Sequence, residues 1–550
     1  MEPNESTNSD KQQVNDNIAE TTTKKADIAI TSPDKELEYI TGMRLFLVMF
    51  TIFASTILAA IEIGIISTAI PGITDDFHRL DDVGWYGSST FILAGSTASL
   101  WGKLYKYLNI KYVYMTSVVL YLVGSIVAAA APNSAAVIVG RAWQGWGAAG
   151  TLGGSVLVIN YVAEPRHHPA LIGLWMAVFM VATIFGPLIG GAFTSGVSWR
   201  WCFWINLPLG CPIIVLLFLF LRIPKRVQPI PATWKEILRQ LDLPGFAILL
   251  TSLVCFTLAL QWGGQTKSWN DGSVIATLVL AVCLTIAFFI TEWLQADHAM
   301  LPLGLLMPRT TWTNALFCYI SNAADFQVMF YLPIYFQSIF GQSAIMSGVN
   351  TLPFLAFFAA GALASGVLIG KTGHTQPFQL VSALLMVAGT ALFYTLDVAS
   401  TKGRYVGPQI LFGFGFGLSS QVPMTAVQGF SRPEDVAAST GIIIMCQAIS
   451  GAYFVAVAQS LFANRMVAAL TNVDAAEVLR TGAAEIQSVF EGNELIAVRN
   501  AYMTGIKAVF AFALASSVLA VLIAALIPLR RLPSHGNKTD NSNVRSEGKP

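Results

Sequence analysis

The chain has 550 residues, 54% of them apolar and only 11% charged, with a net charge of +1. A soluble domain carries roughly 25% charged residues, so this chain cannot clothe a water-facing surface and is read as a membrane protein throughout. The near-neutral balance offers no basic field, and no nucleic-acid partner is expected.

In chain order, residues 1–42 are polar and rich in Thr, Asn, Asp and Lys, which marks a disordered tail without a cleavable signal. Segments of about 20 apolar residues, the length that crosses a bilayer, follow at 45–70, 83–101, 112–131, 135–159, 170–194, 201–221, 243–262, 273–293, 312–340, 347–370, 377–397, 404–428, 436–462 and 504–528. The expected fold is an all-α membrane protein of fourteen transmembrane helices. The pattern breaks at 222–244, RIPKRVQPIPATWKEILRQLDLP, which is basic, proline-bearing and carries one short amphipathic turn, and again at 295–310, QADHAMLPLGLLMPRT. These breaks divide the chain into an N-terminal six-helix bundle at 43–222, a linker with two additional helices at 223–311, and a C-terminal six-helix bundle at 312–530. The last includes an outer loop at 464–500, and a polar tail fills 531–550. If the N-terminus is cytoplasmic, fourteen Lys and Arg fall in inner loops and the final tail, against five (Arg79, Arg200, Lys267, Lys402 and Arg404) in short outer loops. That excess places both termini inside. The sequons at Asn4 and Asn537 then lie in cytosolic tails and read as chance matches.

A short repeat relates the two bundles. GKLYKYLNIK starts at Gly102 and GVLIGKTGHT at Gly366; Glu62 precedes the first glycine by 40 residues and Asp325 the second by 41. Paired halves around a midplane site characterise many secondary transporters, and the spacing predicts that Asp325 faces the same central cavity as Glu62. GVLIGKT is one residue short of a phosphate-binding P-loop and follows an apolar helix instead of a strand, so no ATP-driven step is expected. The six cysteines lie in predicted helices without ligand spacing, which indicates neither a disulfide framework nor a metal site.

Arg141 stands inside a stretch long enough to cross the bilayer. A charge at the bilayer centre costs ~2.5–3.5 kcal/mol on insertion scales and is kept in a bundle or wet cavity, so Arg141 points to transport. Glu62, in LAAIEIGIISTAIP, is the candidate proton or ion site, because a carboxylate set between burial and an arginine can load and release a proton as its surroundings change. The alternative is a static partner for a polar helix surface. Arg141 either balances that charge or anchors a hydrogen-bond network with Gln144. Asp325, with Asn322 one turn earlier, is a second proton or cation site or else a packing group. Gly145, Gly147, Gly150, Gly153 and Gly154, then Gly186, Pro187, Gly190 and Gly191, read as close-packing and hinge positions, as do Gly413, Gly415, Gly417 and Pro423. Trp143, Trp146, Trp175, Phe179, Phe326, Phe330, Tyr331, Tyr335 and Phe336 fall in spans expected to border a central cavity suited to bulky amphiphilic cargo. No catalytic, metal-binding or cofactor-binding residue is expected.

GRAWQGWGAAG resembles the fourth-helix R-x-x-Q-G motif of the major facilitator superfamily, and ATIFGPLIGG the fifth-helix motif of its fourteen-helix drug:proton antiporters. LDDVGWYGSS, WRWCFWINLPLG and FYLPIYFQSIFGQSAIMSGVNTLP are similar to stretches of fungal members, including toxin and secondary-metabolite efflux pumps; the resemblance covers about residues 43–530. It implies proton-coupled efflux of a lipophilic toxin, drug or secondary metabolite by alternating access, powered by the proton gradient without a cofactor. Glu62 would carry the proton, Arg141 would modulate it, Asp325 would be a second site, and Gly186 with Pro187 would allow bending. The competing readings are an importer, for instance of an iron chelate, and a non-transporting membrane sensor or receptor. The expected partners are small-molecule cargo, protons and the lipid bilayer, for a monomer in the plasma membrane or else in a vacuolar or other organelle membrane. Three departures stand out. In the superfamily loop G-x-L-x-D-R-x-G-R-K, Lys106 holds the acidic position and Asn109 and Ile110 replace Gly and Arg, which removes the usual basis of a charge-relay latch. Glu62 stands for the commoner Asp, and Ala182 for Gly.

Overall fold

The computed structural model describes residues 42–533 except 78–81, 165, 166, 225–228, 265, 296, 297, 471, 472, 482, 484 and 485. Residues 1–41 and 534–550 of the tails, with both sequons, and Arg79, Arg166, Lys225 and Arg226 of the charge comparison lie outside the described residues.

The described chain is helical. In order it forms α1 (Gly42–Phe77), α2 (Val83–Tyr107), α3 (Ile110–Ala129), α4 (Ser134–Val162), α5 (His168–Gly196), the single turn α6 (Trp201–Trp204), α7 (Asn206–Phe220) and the short α8 (Trp234–Gln240). A hairpin of α9 (Leu243–Trp262) and α10 (Gly272–Gln295) comes next, then the turn α11 (Leu303–Leu306). The remainder is α12 (Arg309–Phe340), α13 (Ala344–Thr372), α14 (Gln376–Tyr394), α15 (Lys402–Ser419), α16 (Val422–Phe430), α17 (Val436–Ala469), α18 (Ala475–Arg480), α19 (Ile486–Val489) and α20 (Gly492–Leu526).

Among the described residues, eleven helical stretches are long and apolar enough to cross a membrane. Helices α2, α4 and α12 have spanning lengths of 25, 29 and 32 residues but are not among them. Their buried side chains explain why. Helix α2 buries Ser88, Ser89, Thr90, Ser96, Thr97 and Ser99; α4 buries Arg141, Gln144, Thr151 and Ser155; α12 buries Asn314, Ser321, Asn322, Asp325 and Gln327. A helix enclosed by other helices can direct polar groups inward to find partners, and lipid-facing helices cannot. Helix α10 is the opposite case, with only 17% of its span buried.

The packing repeats along the chain. Helix α2 lies on α4 as α13 lies on α15, and α3 pairs with α4 as α14 pairs with α15. The two sets meet through α2 against α17 and, correspondingly, α13 against α5. The glycines of the sequence repeat occupy matching places in these two seams. A Cβ on Gly102 would lie 3.1 Å from the Cα of Gly441, and one on Gly366 would lie 3.1 Å from the Cα of Ala170. Glycine is needed there because two backbones approach without room for a side chain.

Several helix ends differ from the apolar pattern. Helix α17 runs on to Ala469 and α20 begins at Gly492, both inside the stretch read as the outer loop 464–500. The span read at 201–221 breaks at Ile205 and that at 404–428 breaks before Val422, ahead of Pro208 and Pro423. Proline has no N–H to continue a preceding helix but suits the first turn of a new one. GVLIGKT lies within uninterrupted α13, where no phosphate loop forms.

The α9–α10 hairpin rests beside α17 and α2. The Phe256 ring meets Tyr453 edge-on at 4.6 Å, and Asn464 accepts from Trp269 Nε1 at 3.2 Å and donates to the Gly263 carbonyl at 3.3 Å. At its other end, buried Lys103 of α2 donates to the carbonyls of Gln240, His298 and Ala299, with the Asp242 and Glu292 carboxylates close by. Read in sequence as one basic loop residue, Lys103 instead fastens the hairpin to the first helical set.

Candidate functional site

Glu62 and Arg141 meet. The Arg141 Nη1 donates to Glu62 Oε1 at 2.5 Å, with Glu62 2% and Arg141 1% exposed. Arg141 Nε donates to the Tyr86 carbonyl of α2, and Asn206 of α7 donates to Glu62 Oε2 at 3.2 Å. Each carboxylate oxygen thus has its own donor, one charged and one neutral. Behind them, Ser125 Oγ of α3 accepts from Asn206 at 3.0 Å and from Gln144 at 2.8 Å. Gln144 therefore reaches Arg141 indirectly, through Ser125, Asn206 and Glu62.

Local packing brings these helices close enough. A Cβ on Gly145 would fall 2.8 Å from the Thr90 carbonyl carbon, so glycine lets α4 press onto α2. The fifth-helix motif crosses α1 at the turn that carries Glu62: a Cβ on Gly186 would sit 2.6 Å from the Ile61 oxygen and 2.7 Å from the Ile65 nitrogen. Pro187 Cδ lies against Gly64, and Gly190 lies against Ile65 and Thr68. A Cβ on Gly191 would meet no atom within 4 Å, so close approach does not account for that position.

Asp325 is buried in α12, and among the described residues its Oδ1 has no hydrogen-bond partner. Asn322 is not its partner; Asn322 Nδ2 donates to the Cys318 carbonyl at 2.8 Å. Gln327 is likewise buried with both amide atoms unpartnered. A cavity of about 10 Å³, room for a single water, lies between the helical sets and is lined by Trp175, Met176, Cys318, Gln421, Ile443 and Gln447, among others. Asp325 is seven residues beyond Cys318, two turns along the same helix face. Neither it nor Glu62 lines this cavity. Glu62 lies within the first helical set, where Arg141 Nη1 donates to it.

Of the aromatics expected at a cavity, Trp175 lines it, donating also to Thr56 Oγ1 at 2.7 Å. Phe326 meets Phe91 across the seam at 5.3 Å. Trp143 is 38% exposed and faces outward, whereas Tyr331, Tyr335 and Phe336 pack within the second set.

Residues 52–455 match the Major Facilitator Superfamily. The chain belongs to the Major Facilitator Superfamily. It is accordingly a multi-pass membrane transporter of small-molecule cargo and not an enzyme. It is 67% identical over 535 residues to a dehydrocurvularin exporter of Alternaria cinerariae, covering 96% of this chain and 92% of that protein. It is 63% identical over 521 residues to the efflux pump notK of an Aspergillus species, covering 94% and 92%. Among solved structures, the human organic anion transporter MFSD10 superposes with a TM-score of 0.57 at 15% identity, over 88% of this chain and 100% of that one. The proton:xylose symporter XylE gives 0.55 at 12% identity, over 89% and 97%. At such identities the two structures speak for the superfamily fold alone.

Sequence reasoning missed three features. Asn206 lies in WRWCFWINLPLG, where a lone amide in an apolar run was its only signal. Lys106, the superfamily position that lost its acid, pairs with Asp435 of the other helical set at 2.8 Å, so an ion pair of reversed polarity joins the seam. Nearby, Asn160 donates to Gln428 Oε1 at 2.6 Å, a second polar link between the sets.

Proposed function

We propose that this protein exports a lipophilic secondary metabolite in exchange for protons, by alternating access of two six-helix halves within a fourteen-span fold whose termini are cytoplasmic. The observation that carries the coupling is the buried Glu62–Arg141 pair. A proton reaching Glu62 neutralises one member of a desolvated ion pair, and the interaction tying α1 to α4 weakens at the turn where α5 crosses. Two relatives above 60% identity named exporter and efflux pump support the outward direction and disfavour the importer and sensor readings. The seams α2/α17 and α5/α13 are where the halves part, with Gly186 and Pro187 placed to let α5 move against α1. Asp325, whose Oδ1 has no hydrogen-bond partner among the described residues and which lies two turns from the interhelical cavity, is the second proton or cation site.

The test uses purified protein in proteoliposomes with dehydrocurvularin as probe. An imposed pH gradient is expected to drive its accumulation, and collapse of the gradient by an ionophore to stop it. Movement at the same rate with and without the gradient removes the proton coupling.

Asp325→Asn gives a further expected result. If Asp325 binds a proton or cation, the variant changes transport of a cationic probe or its pH dependence more than that of a neutral probe, because an ionised carboxylate stabilises positive charge in a poorly solvated site. Equal effects on cationic and neutral probes, with an unchanged pH profile, assign Asp325 to packing.

A further inference from the structure

We propose that Asn206 is a positioning residue for the proton-carrying carboxylate, holding the Glu62 oxygen that Arg141 leaves free; this rests on the reading of Glu62 given above. Asn206 is 2% exposed and begins α7 immediately after the break at Ile205. That break is framed by Trp199, Cys202 and Phe203 in an apolar cluster that also contains Ile65 of α1. The turn is thereby fixed against the helix that carries Glu62, and the amide has little freedom to leave it.

The chemistry of the amide suits both states of its neighbour. Its nitrogen donates to the Glu62 carboxyl oxygen at 3.2 Å, a contact that suits the ionised form, and after rotation its oxygen can accept from a protonated acid. It adds no proton site of its own at physiological pH. Serine would have shorter reach, leucine no donor, and aspartate would place a second acid beside the first. The titratable and charged groups facing Glu62 are Arg141 from α4, Tyr121 from α3 and Cys202 from α6; α2 presents the Tyr86 carbonyl through Arg141, and α5 presents Gly186. Asn206 is the neutral donor on Oε2, and its shared acceptor Ser125 ties it to Gln144. Movement of α7 therefore alters what Glu62 holds without breaking the Arg141 contact directly.

The experiment is a pH titration of the full chain in nanodiscs, following the protonated-carboxyl stretch by infrared difference spectroscopy. The Glu62 band is assigned by its loss in Glu62→Gln. A hydrogen bond to an ionised acceptor favours that form, so Asn206→Leu is expected to load its proton at about tenfold lower proton concentration than the native chain. Asn206→Ser is expected to shift less. Asn206→Asp, which keeps the shape should leucine prevent folding, is expected to split the titration into two steps because adjacent acids share protons. A native midpoint in both Leu and Ser variants, or a single unshifted step in the Asp variant, overturns the assignment of Asn206 while leaving Glu62 as carrier. Gradient-driven transport that survives Glu62→Gln, or a Glu62 band that never titrates, overturns the carrier reading itself.

Discussion

Glu62→Gln is expected to abolish gradient-driven accumulation while leaving exchange of labelled for unlabelled cargo across the vesicle membrane. One pH unit is worth ~1.4 kcal/mol per proton, a factor of about ten. With one proton exchanged per cargo molecule, the native protein can therefore approach tenfold accumulation across a one-unit gradient, and the variant is expected to show none. The structure adds a consequence for folding. Arg141 is 1% exposed, and leaving a buried charge uncompensated costs about 3–5 kcal/mol when its partner is removed outright. The glutamine carbonyl still accepts from Arg141, so Glu62→Gln should lower thermal stability less than Glu62→Ala. Exchange activity per folded molecule separates coupling from loss of protein. Glu62→Asp, an acid of shorter reach, should keep part of the uphill transport. Full uphill transport by Glu62→Gln removes this residue from the coupling mechanism.

The charged residues were legible in the sequence because a single ion in an apolar span carries a cost large enough to require an explanation. Their contact was less so: Glu62 and Arg141 are 79 residues apart, and only the packing of α1, α2 and α4 brings the guanidinium to the acid. Gly102 and Gly366 could be found by spacing because close backbone approach demands glycine at one place in each repeat. Asp325 shows the limit of that symmetry. The repeat gives nearly equal sequence distances, 40 and 41 residues, but Glu62 is paired with Arg141, whereas the Asp325 Oδ1 is buried without a hydrogen-bond partner among the described residues. Asn206 escaped notice because a neutral amide costs less to bury than an ion and leaves a weaker mark on composition. Lys103 and Lys106 were legible as basic loop residues, but their acceptors come from chain segments more than 100 residues away. Their roles depend on tertiary pairing that local pattern does not encode.

Lys106→Glu is expected to open the end of the seam at which Lys106 meets Asp435. The pair is partly buried, with side-chain exposures of 19% and 15%, and spans the two helical sets. Even at the value of an exposed pair, about 1 kcal/mol, the attraction is a minor term for folding. For an equilibrium between two arrangements of similar energy, however, about 1 kcal/mol changes the population ratio roughly fivefold. Reversal does more than delete the attraction, since it sets two carboxylates against each other. Asp435 is also the residue before the first turn of α17, where the helix dipole favours negative charge. Lys106 sits in the last turn of α2, where the dipole equally favours positive charge, so Asp435→Lys and Lys106→Glu should be damaging to a similar degree, and the double reversal should recover transport in part, falling short by both lost dipole interactions. Cys318 supplies the readout of opening. It is buried, lines the cavity between the sets, and lies near Ile443, eight residues along α17 from Asp435. In a background with the other five cysteines replaced by serine, alkylation of Cys318 should accelerate by more than about fivefold in Lys106→Glu and return toward the native rate in the double reversal. If the double reversal stays as reactive as Lys106→Glu alone, the pair does not hold the halves together; the Asn160–Gln428 link is then the contact to break next.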